Sequence, residues 1–272
     1  MSQAERSAPN GADITTPNVA RMYDFYLGGK DNYASDREAA RKVLGVASEV
    51  PLAALENREF VKRAVRFLVR EDIKQFVDIG PGLPTRSNVH EVVRQYEPQA
   101  HVVYIDNDPI VLSHSQSLLE NTPGVAIIDE DLREPEHILS NPALRELISF
   151  ARPVALCMTL VLHFIPDSGD PYGIVARLCE ALCPGSYVVI SHVTGDGRDP
   201  EALTEITDTY DQATAPLIMR SRTDIARFFD GFELVDPGVV FLSQWRSTGE
   251  FYSEGGTRWA YAGVGRKPGV SG

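Results

Sequence analysis

The sequence predicts a mixed α/β fold built on a mainly parallel sheet, and three observations carry that expectation. Five short, nearly continuous apolar runs (QFVDIG, HVVYID, VAIID, PVALCMTLVL and SYVVIS) lack the polar alternation of a half-solvated strand. Between them, SNVHEVVRQY, PIVLSHSQSLLE, PALRELISF and PYGIVARLCEALC carry apolar residues at helical spacing. Strands buried on both faces and alternating with helices indicate right-handed βαβ units wound on one sheet. Third, GFELVD, GVVFLSQW and RWAYAGVGRK near the end are strand-like and follow one another without long helices, which predicts an antiparallel hairpin closing one edge.

The N-terminal elements follow in order. Residues 1–14 are polar and aperiodic, and read as a mobile tail. TTPNVARMYDFYLGG starts like a helix, with Thr16 as N-cap, Pro17 at the first helical position and Gly28-Gly29 as the stop. SDRE at 35–38 is a capping box opening a second helix that ends near Gly45. ENREFVKRAVRFLVRE forms a third, with Phe60, Ala64, Phe67 and Leu68 on one face. No strand precedes these helices. Residues 15–72 therefore read as a helical cap over a core at 73–272, the two making one structural domain.

A hydrophobic content of 43% across 272 residues suffices for a full core. The formal net charge of −12 disfavours nucleic acid or a membrane surface as partner, since both are anionic. The longest apolar run, VALCMTLVLHFI, is too short to span a bilayer and is interrupted by His163. The segment MSQAERSAPNGADI has no apolar core of a secretory signal, so a cytoplasmic protein is expected. Cys157 lies in an apolar run, Cys179 and Cys183 are four apart on a predicted helix, and no His or Cys stands at zinc spacing. Buried thiols and no metal site are the expectation.

In a doubly wound sheet, ligands bind beyond the carboxyl ends of the strands. VDIGPGLPT, at 77–85, occupies that place after the first strand. Gly80 and Gly82 permit positive φ and close backbone approach, and Asp78 can fix the loop through backbone N–H groups. A dinucleotide loop would carry a third glycine at position 85, where Thr85 stands. An S-adenosylmethionine (SAM) loop reads D/E-x-G-x-G-x-G and matches except at Pro84. Proline there offers no N–H but presets the turn into a helix starting between Thr85 and Ser87. The neighbouring strand ends add weight. Asp106 stands where a carboxylate can accept both hydroxyls of an adenosine ribose, with Asn107 lining the pocket. Asp108 precedes Pro109 and reads as the N-cap of the next helix. After the third strand, Asp131 can accept from an adenine amino group while the N–H of Leu132 meets a ring nitrogen; Asp131 also reads as a solvated loop acid. Three acids at three successive strand ends, behind one glycine loop, favour a nucleoside pocket.

These residues resemble a family of SAM-dependent methyltransferases first catalogued as a domain of unknown function. The resemblance runs from about Thr16 to Lys267, through PNVARMYDFYLGGKDNYASDREAA, VDIGPGLPTRSNVHEV, VVYIDNDPIVLSH, FELVDPGVVF and AGVGRK. GLPT belongs to the family pattern, whereas Pro81 replaces its usual small hydroxyl residue and removes one loop hydrogen bond. The resemblance implies a class I, Rossmann-like methyltransferase fold of seven strands with the last antiparallel. It also implies N-terminal helices covering SAM, with S-adenosylhomocysteine as product. YLGGKDNY then becomes a candidate lid, with Arg21, Lys30 or Asn32 meeting the methionine carboxylate. The alternative is that Tyr23, Tyr26 and Tyr33 pack the cap and the glycines merely end a helix.

MTLVLHFIPD, after the fourth strand, is where class I enzymes place acceptor-side residues, and the Asn/Asp-Pro-Pro-Tyr motif of amide-methylating enzymes is absent from it. His163 is the first candidate general base and His192 the second; each also reads as a hydrogen-bonded structural histidine. The expected activity is methyl transfer to a small-molecule acceptor. Two other readings stay open: a non-catalytic module that holds SAM or its product in a regulatory complex, and a nicotinamide (NAD)-dependent oxidoreductase. The latter needs a glycine at position 85 and a second, substrate-binding domain.

Overall fold

The computed structural model describes residues 13–84, 87–119, 122–247 and 256–269. Most of the expected tail and the position of Thr85 therefore lie outside the described residues. Three helices, α1 (Val19–Tyr26), α2 (Ala34–Val46) and α3 (Val50–Arg70), precede the first strand, β1 (Gln75–Ile79). The βαβ portion continues through α4 (Val89–Arg94), β2 (His101–Asp106), α5 (Pro109–Leu119) and β3 (Val125–Asp129). It proceeds through α6 (Pro135–Ser140), α7 (Pro142–Leu147), β4 (Ala155–Thr159), α8 (Pro171–Glu180) and β5 (Tyr187–Val193). The remainder holds α9 (Pro200–Tyr210), α10 (Arg222–Arg227), β6 (Glu233–Leu234), β7 (Val240–Phe241) and β8 (Ala260–Arg266).

The strands form one sheet in the order β3-β2-β1-β4-β5-β8-β6, with β7 also on β8. The first five are parallel, as the doubly apolar runs predict. β8 enters antiparallel to β5, from Tyr187↔Arg266 to Val193↔Ala260, and β6 and β7 pair antiparallel to β8. The expected edge hairpin is present, but its outer strand is split in two, which turns seven strands into eight. Pro237 lies in the break and has no N–H to give to a ladder.

Chain direction across the sheet reverses between β1 and β4, which opens a crevice at their carboxyl ends. One sheet face packs Val77, Ile105, Met158 and Ile190 against the helices that follow β3 and β4. The other packs Phe76, Val102 and Val189 against Phe60, Ala64 and Leu68 of α3, so α3 is a layer of the core. A third cluster joins Met22, Tyr26, Ala40 and Val43 to Ile206 and Tyr210 of α9 and to Trp259. The roof over the crevice is thus α1 and α2 together with α9.

Several boundaries differ from expectation for identifiable reasons. Asn18, not Thr16, caps α1, accepting the N–H groups of Ala20 at 2.9 Å and Arg21 at 3.1 Å. α2 starts at Ala34, and Asp36 accepts the N–H of Tyr33 at 2.8 Å, so the acidic member of the capping box is Asp36 and not Glu38. α4 opens at Val89, with Glu91 accepting the Asn88 N–H at 2.8 Å, later than the turn at Pro84 suggests. β4 stops at Thr159 because Leu160 takes φ 52° and turns its N–H to the Ser191 carbonyl at 3.0 Å. No helix described in the structure is long and apolar enough to cross a membrane.

Candidate functional site

A cavity of about 480 Å³ lies between the carboxyl ends of the strands and the roof. Its floor is the glycine loop. Gly80 and Gly82 hold φ of 69° and 66°, in the left-handed region that glycine enters without steric cost. A Cβ at Gly80 would lie 2.5 Å from Cγ2 of Val161, so this position admits no side chain. A Cβ at Gly82 would meet nothing within 4 Å, so this backbone faces open space.

Asp106 sits beside that opening. Its Oδ2 accepts the Gly82 N–H at 3.3 Å and its Oδ1 the Asp108 N–H at 3.0 Å, and the Asn107 N–H also donates to this carboxylate. Burial lifts its pKa to about 6, against these three backbone donors. Asp108 caps α5, accepting from Ile110 at 2.7 Å and Val111 at 3.1 Å, and also receives Nδ2 of Asn18. At the far rim, Asp131 accepts from Arg133 and from Nδ2 of Asn107 at 2.9 Å. The Arg133 guanidinium holds that carboxyl below its usual range. Leu132 is buried in the same wall.

Asp78 is placed differently from its expected role. Side chains alternate along β1, so Asp78 shares the face of Phe76, toward α3, and does not line the cavity. The loop N–H that it was expected to hold goes to Asp106. Burial pushes its pKa up to about 7, with the charge of Arg58 opposing.

None of the three candidates for a carboxylate partner faces the cavity. Arg21 is fully buried and spent: Nε on Asp36 at 3.0 Å, Nη1 on the Asp13 carbonyl and Nη2 on the Thr16 carbonyl. Lys30 is exposed on the loop after α1. Asn32 donates to Asp24 at 2.7 Å and to the Gly29 carbonyl, knotting that loop in place. Among the described residues two cations line the cavity: Arg133, which is paired with Asp131, and Arg58, which the sequence reading missed. Its guanidinium stands over the Tyr23 ring at 5.4 Å, and its Nε is buried with no partner among the described residues. The signal was there in α3: Val50, Ala53, Ala54, Asn57 and Arg58 all line the cavity at helical spacing, a small-residue stripe ending in a polar pair.

His163 lines the cavity, and its Nδ1 is buried without a partner among the described residues. Burial, with His192 and Arg220 adding, holds its pKa well below the usual histidine value. His192 lies behind the wall. Arginine can only donate, so Nε2 of His192 accepts from Nη1 of Arg220 at 2.9 Å, and Nδ1–H donates to the Val193 carbonyl at 2.7 Å. Its pKa is pushed down to about 3, chiefly by burial, so it is a neutral strut. Arg220 also donates to the Ile165 carbonyl at 2.9 Å and to Asp167 at 2.6 Å, strapping down the turn that presents His163 and Phe164. Beside it, the Leu160 N–H meets Ser191 Oγ at 3.1 Å, and that hydroxyl donates to Asn57 at 2.7 Å. Asn57 in turn donates to the Tyr23 hydroxyl at 3.2 Å, which ties the wall to the roof.

The structure therefore gathers Gly80, Gly82, Asp106, Asn107, Asp131, Leu132 and His163 around one cavity, and leaves Asp78, Arg21, Lys30, Asn32 and His192 outside it. A molecule with sugar hydroxyls at one end and a carboxylate at the other fits this floor: the acceptor oxygens of Asp106, open backbone at Gly82, and a guanidinium nitrogen on Arg58 with no partner among the described residues.

Comparison with known proteins is in keeping with that geometry. A family model described as S-adenosyl methyltransferase matches residues 5–268. The solved structure of a DUF574 family protein from Streptomyces avermitilis is 37% identical, covering 94% of this chain and 99% of its own, with a TM-score of 0.89. A candidate methyltransferase from Thermobifida fusca is also 37% identical, over 96% of this chain and 98% of its own, with a TM-score of 0.89. Human N-acetylserotonin methyltransferase, solved with SAM, shares the fold at 14% identity and a TM-score of 0.50, over 93% of this chain and 63% of its own. No curated protein matches the chain significantly.

Proposed function

The chain belongs to the S-adenosyl methyltransferase family, and from that premise we propose that its cavity orients SAM for methyl transfer to a small molecule seated under the roof. The class I fold, the enzyme class and the cofactor follow from the family. The placement of each group within the cavity is our reading, and the observation that carries it is the segregation of charge. Asp106, Asp108, Glu130, Asp131 and Arg133 stand at one end and Arg58 at the junction, and among the described residues that line the roof end none is ionised.

In this reading Asp106 accepts from the ribose hydroxyls, and Gly82 lets the backbone approach. The adenine lies against Leu132, near Asn107 and Asp131, once the exposed Arg133 swings aside. Arg58 meets the methionine carboxylate in place of Arg21, Lys30 and Asn32. When bound, the cofactor supplies its methyl on a sulfonium, which provides most of the chemical drive. The protein aligns the acceptor and excludes water. The Leu160–Ser191–Asn57–Tyr23 chain fixes the wall against which the acceptor stands. His163 is the candidate base beside the cavity, a weak one because burial disfavours its protonated form; His192 acts through Arg220 as a positioning residue. No observation favours the non-catalytic module or the oxidoreductase.

Calorimetric titration with S-adenosylhomocysteine tests the placement. Asp106→Ala and Arg58→Met should each weaken binding by roughly 1–3 kcal/mol, the scale of a lost charge-assisted hydrogen bond, while NAD gives no heat. Wild-type affinity in both variants would sink the assignment.

A further inference from the structure

Resting on that reading, the roof end of the cavity identifies the kind of acceptor. Four rings face it: Tyr26, Phe164, Tyr210 and Trp259. Aliphatic side chains, Val43, Ile206, Leu217 and Met219 among them, fill the gaps. Phe164 and Tyr210 lie 6.2 Å apart at 34°, a tilted pair forming one wall. The phenols of Tyr26 and Tyr210 are 3.4 Å apart, and burial raises both pKa values, so both keep their protons. Two hydroxyl hydrogens are available there, and their mutual hydrogen bond uses one. The other has no acceptor among the described residues. Packed on Phe164, with ring centroids 4.2 Å apart, stands His163, whose Nδ1 has no partner among the described residues.

Among the described residues, an anion placed here would find Arg58, which the cofactor carboxylate engages, and Arg198 behind the Trp259 ring, which is already paired with Glu49 at 2.9 Å. A cation would face Arg58 and the sulfonium, and the nearby Glu49 carboxylate is taken by the Trp259 indole N–H at 3.0 Å and by Arg198 at 2.9 Å. The Trp259 ring, the best cation-binding face available, is already covered by the Arg198 guanidinium at 4.0 Å. An ionised group buried without a partner is strongly disfavoured, whereas an uncharged ring gains from every wall.

We propose that the methyl acceptor is an uncharged, ring-bearing small molecule whose hydroxyl or carbonyl oxygens meet the Tyr26–Tyr210 pair and His163. Amino acids, phosphorylated metabolites and nucleic acids are excluded by the same chamber.

The test uses the full chain saturated with S-adenosylhomocysteine, titrated calorimetrically with naphthol, naphthoate and naphthylmethylammonium, which differ in charge on one ring system. Naphthol should bind at least about tenfold more tightly than either ion. Tyr210→Phe keeps the ring and removes one hydroxyl; it should weaken naphthol several-fold and leave S-adenosylhomocysteine affinity unchanged. Leu217→Arg should reverse the order, favouring naphthoate. If S-adenosylhomocysteine itself gives no heat, the cofactor placement falls, and the proposal with it. If it binds but an ion binds as well as naphthol, or naphthol does not bind, the acceptor class is wrong while the cofactor placement stands.

Discussion

Asp78 shows how far a single residue can be read from its neighbours in sequence. Its position at the end of β1 was legible, but the face it occupies was not, because that depends on where α3 packs. The consequence is measurable. Its folded pKa of about 7 lies above the ordinary carboxyl value of 3.8, so its contribution to stability is full below about pH 4 and drains as pH rises through 7. Asp78→Asn should therefore gain on wild type as pH increases, by about 2–3 kcal/mol between pH 5 and pH 8. Urea unfolding at the two pH values checks it, and a constant difference would show that the carboxyl does not titrate there. His192 has the opposite sign: held near 3 against an ordinary 6.5, it loses stability as pH falls, but equally in both proteins. Arg21 and Arg58 make the complementary point. From sequence both are basic residues near the cap, and only the buried carboxylate of Asp36 decides that Arg21 is spent.

Elements were legible where burial is two-sided or capping is strong. The five parallel strands and the cap of α5 by Asp108 follow from composition and spacing alone. The sequence reading passed over α6, α9 and α10, although Asp199-Pro200-Glu201 is a good start signal for α9. The glycine loop was legible as a nucleotide loop, but the division of labour within it was not. Gly80 is required by contact and Gly82 by openness. Gly80→Ala should lower stability by more than the roughly 1–2 kcal/mol expected for the left-handed backbone alone, because Val161 must also move. Gly82→Ala should cost little beyond that backbone penalty yet weaken S-adenosylhomocysteine binding. Thermal melts paired with titrations separate the two; equal melting temperatures would contradict the contact argument.

At the scale of the molecule, what sequence could not convey is that the roof has two origins. The cap read from residues 15–72 is only half of it, since α9 and Trp259 complete the enclosure. Sequence separation hides such a contact, and only the closed sheet brings the parts together. Because α1, α2 and α9 share one apolar cluster, they should open and close as a unit. Hydrogen exchange should therefore slow together in α1, α2 and α9 when S-adenosylhomocysteine binds, with much less change in β1 to β5. Protection confined to the N-terminal helices would show that α9 is not part of the closure.

The Arg220 strap carries a different consequence. One guanidinium bonds a histidine from β5, two carbonyls of the turn after β4 and an aspartate at the surface. The turn therefore cannot drift without breaking a buried cation's contacts, so acceptor preference should change through the side chains mounted on the turn while its backbone path stays put. Related sequences could then diversify what they methylate at positions 163–165, as type is changed in a fixed frame.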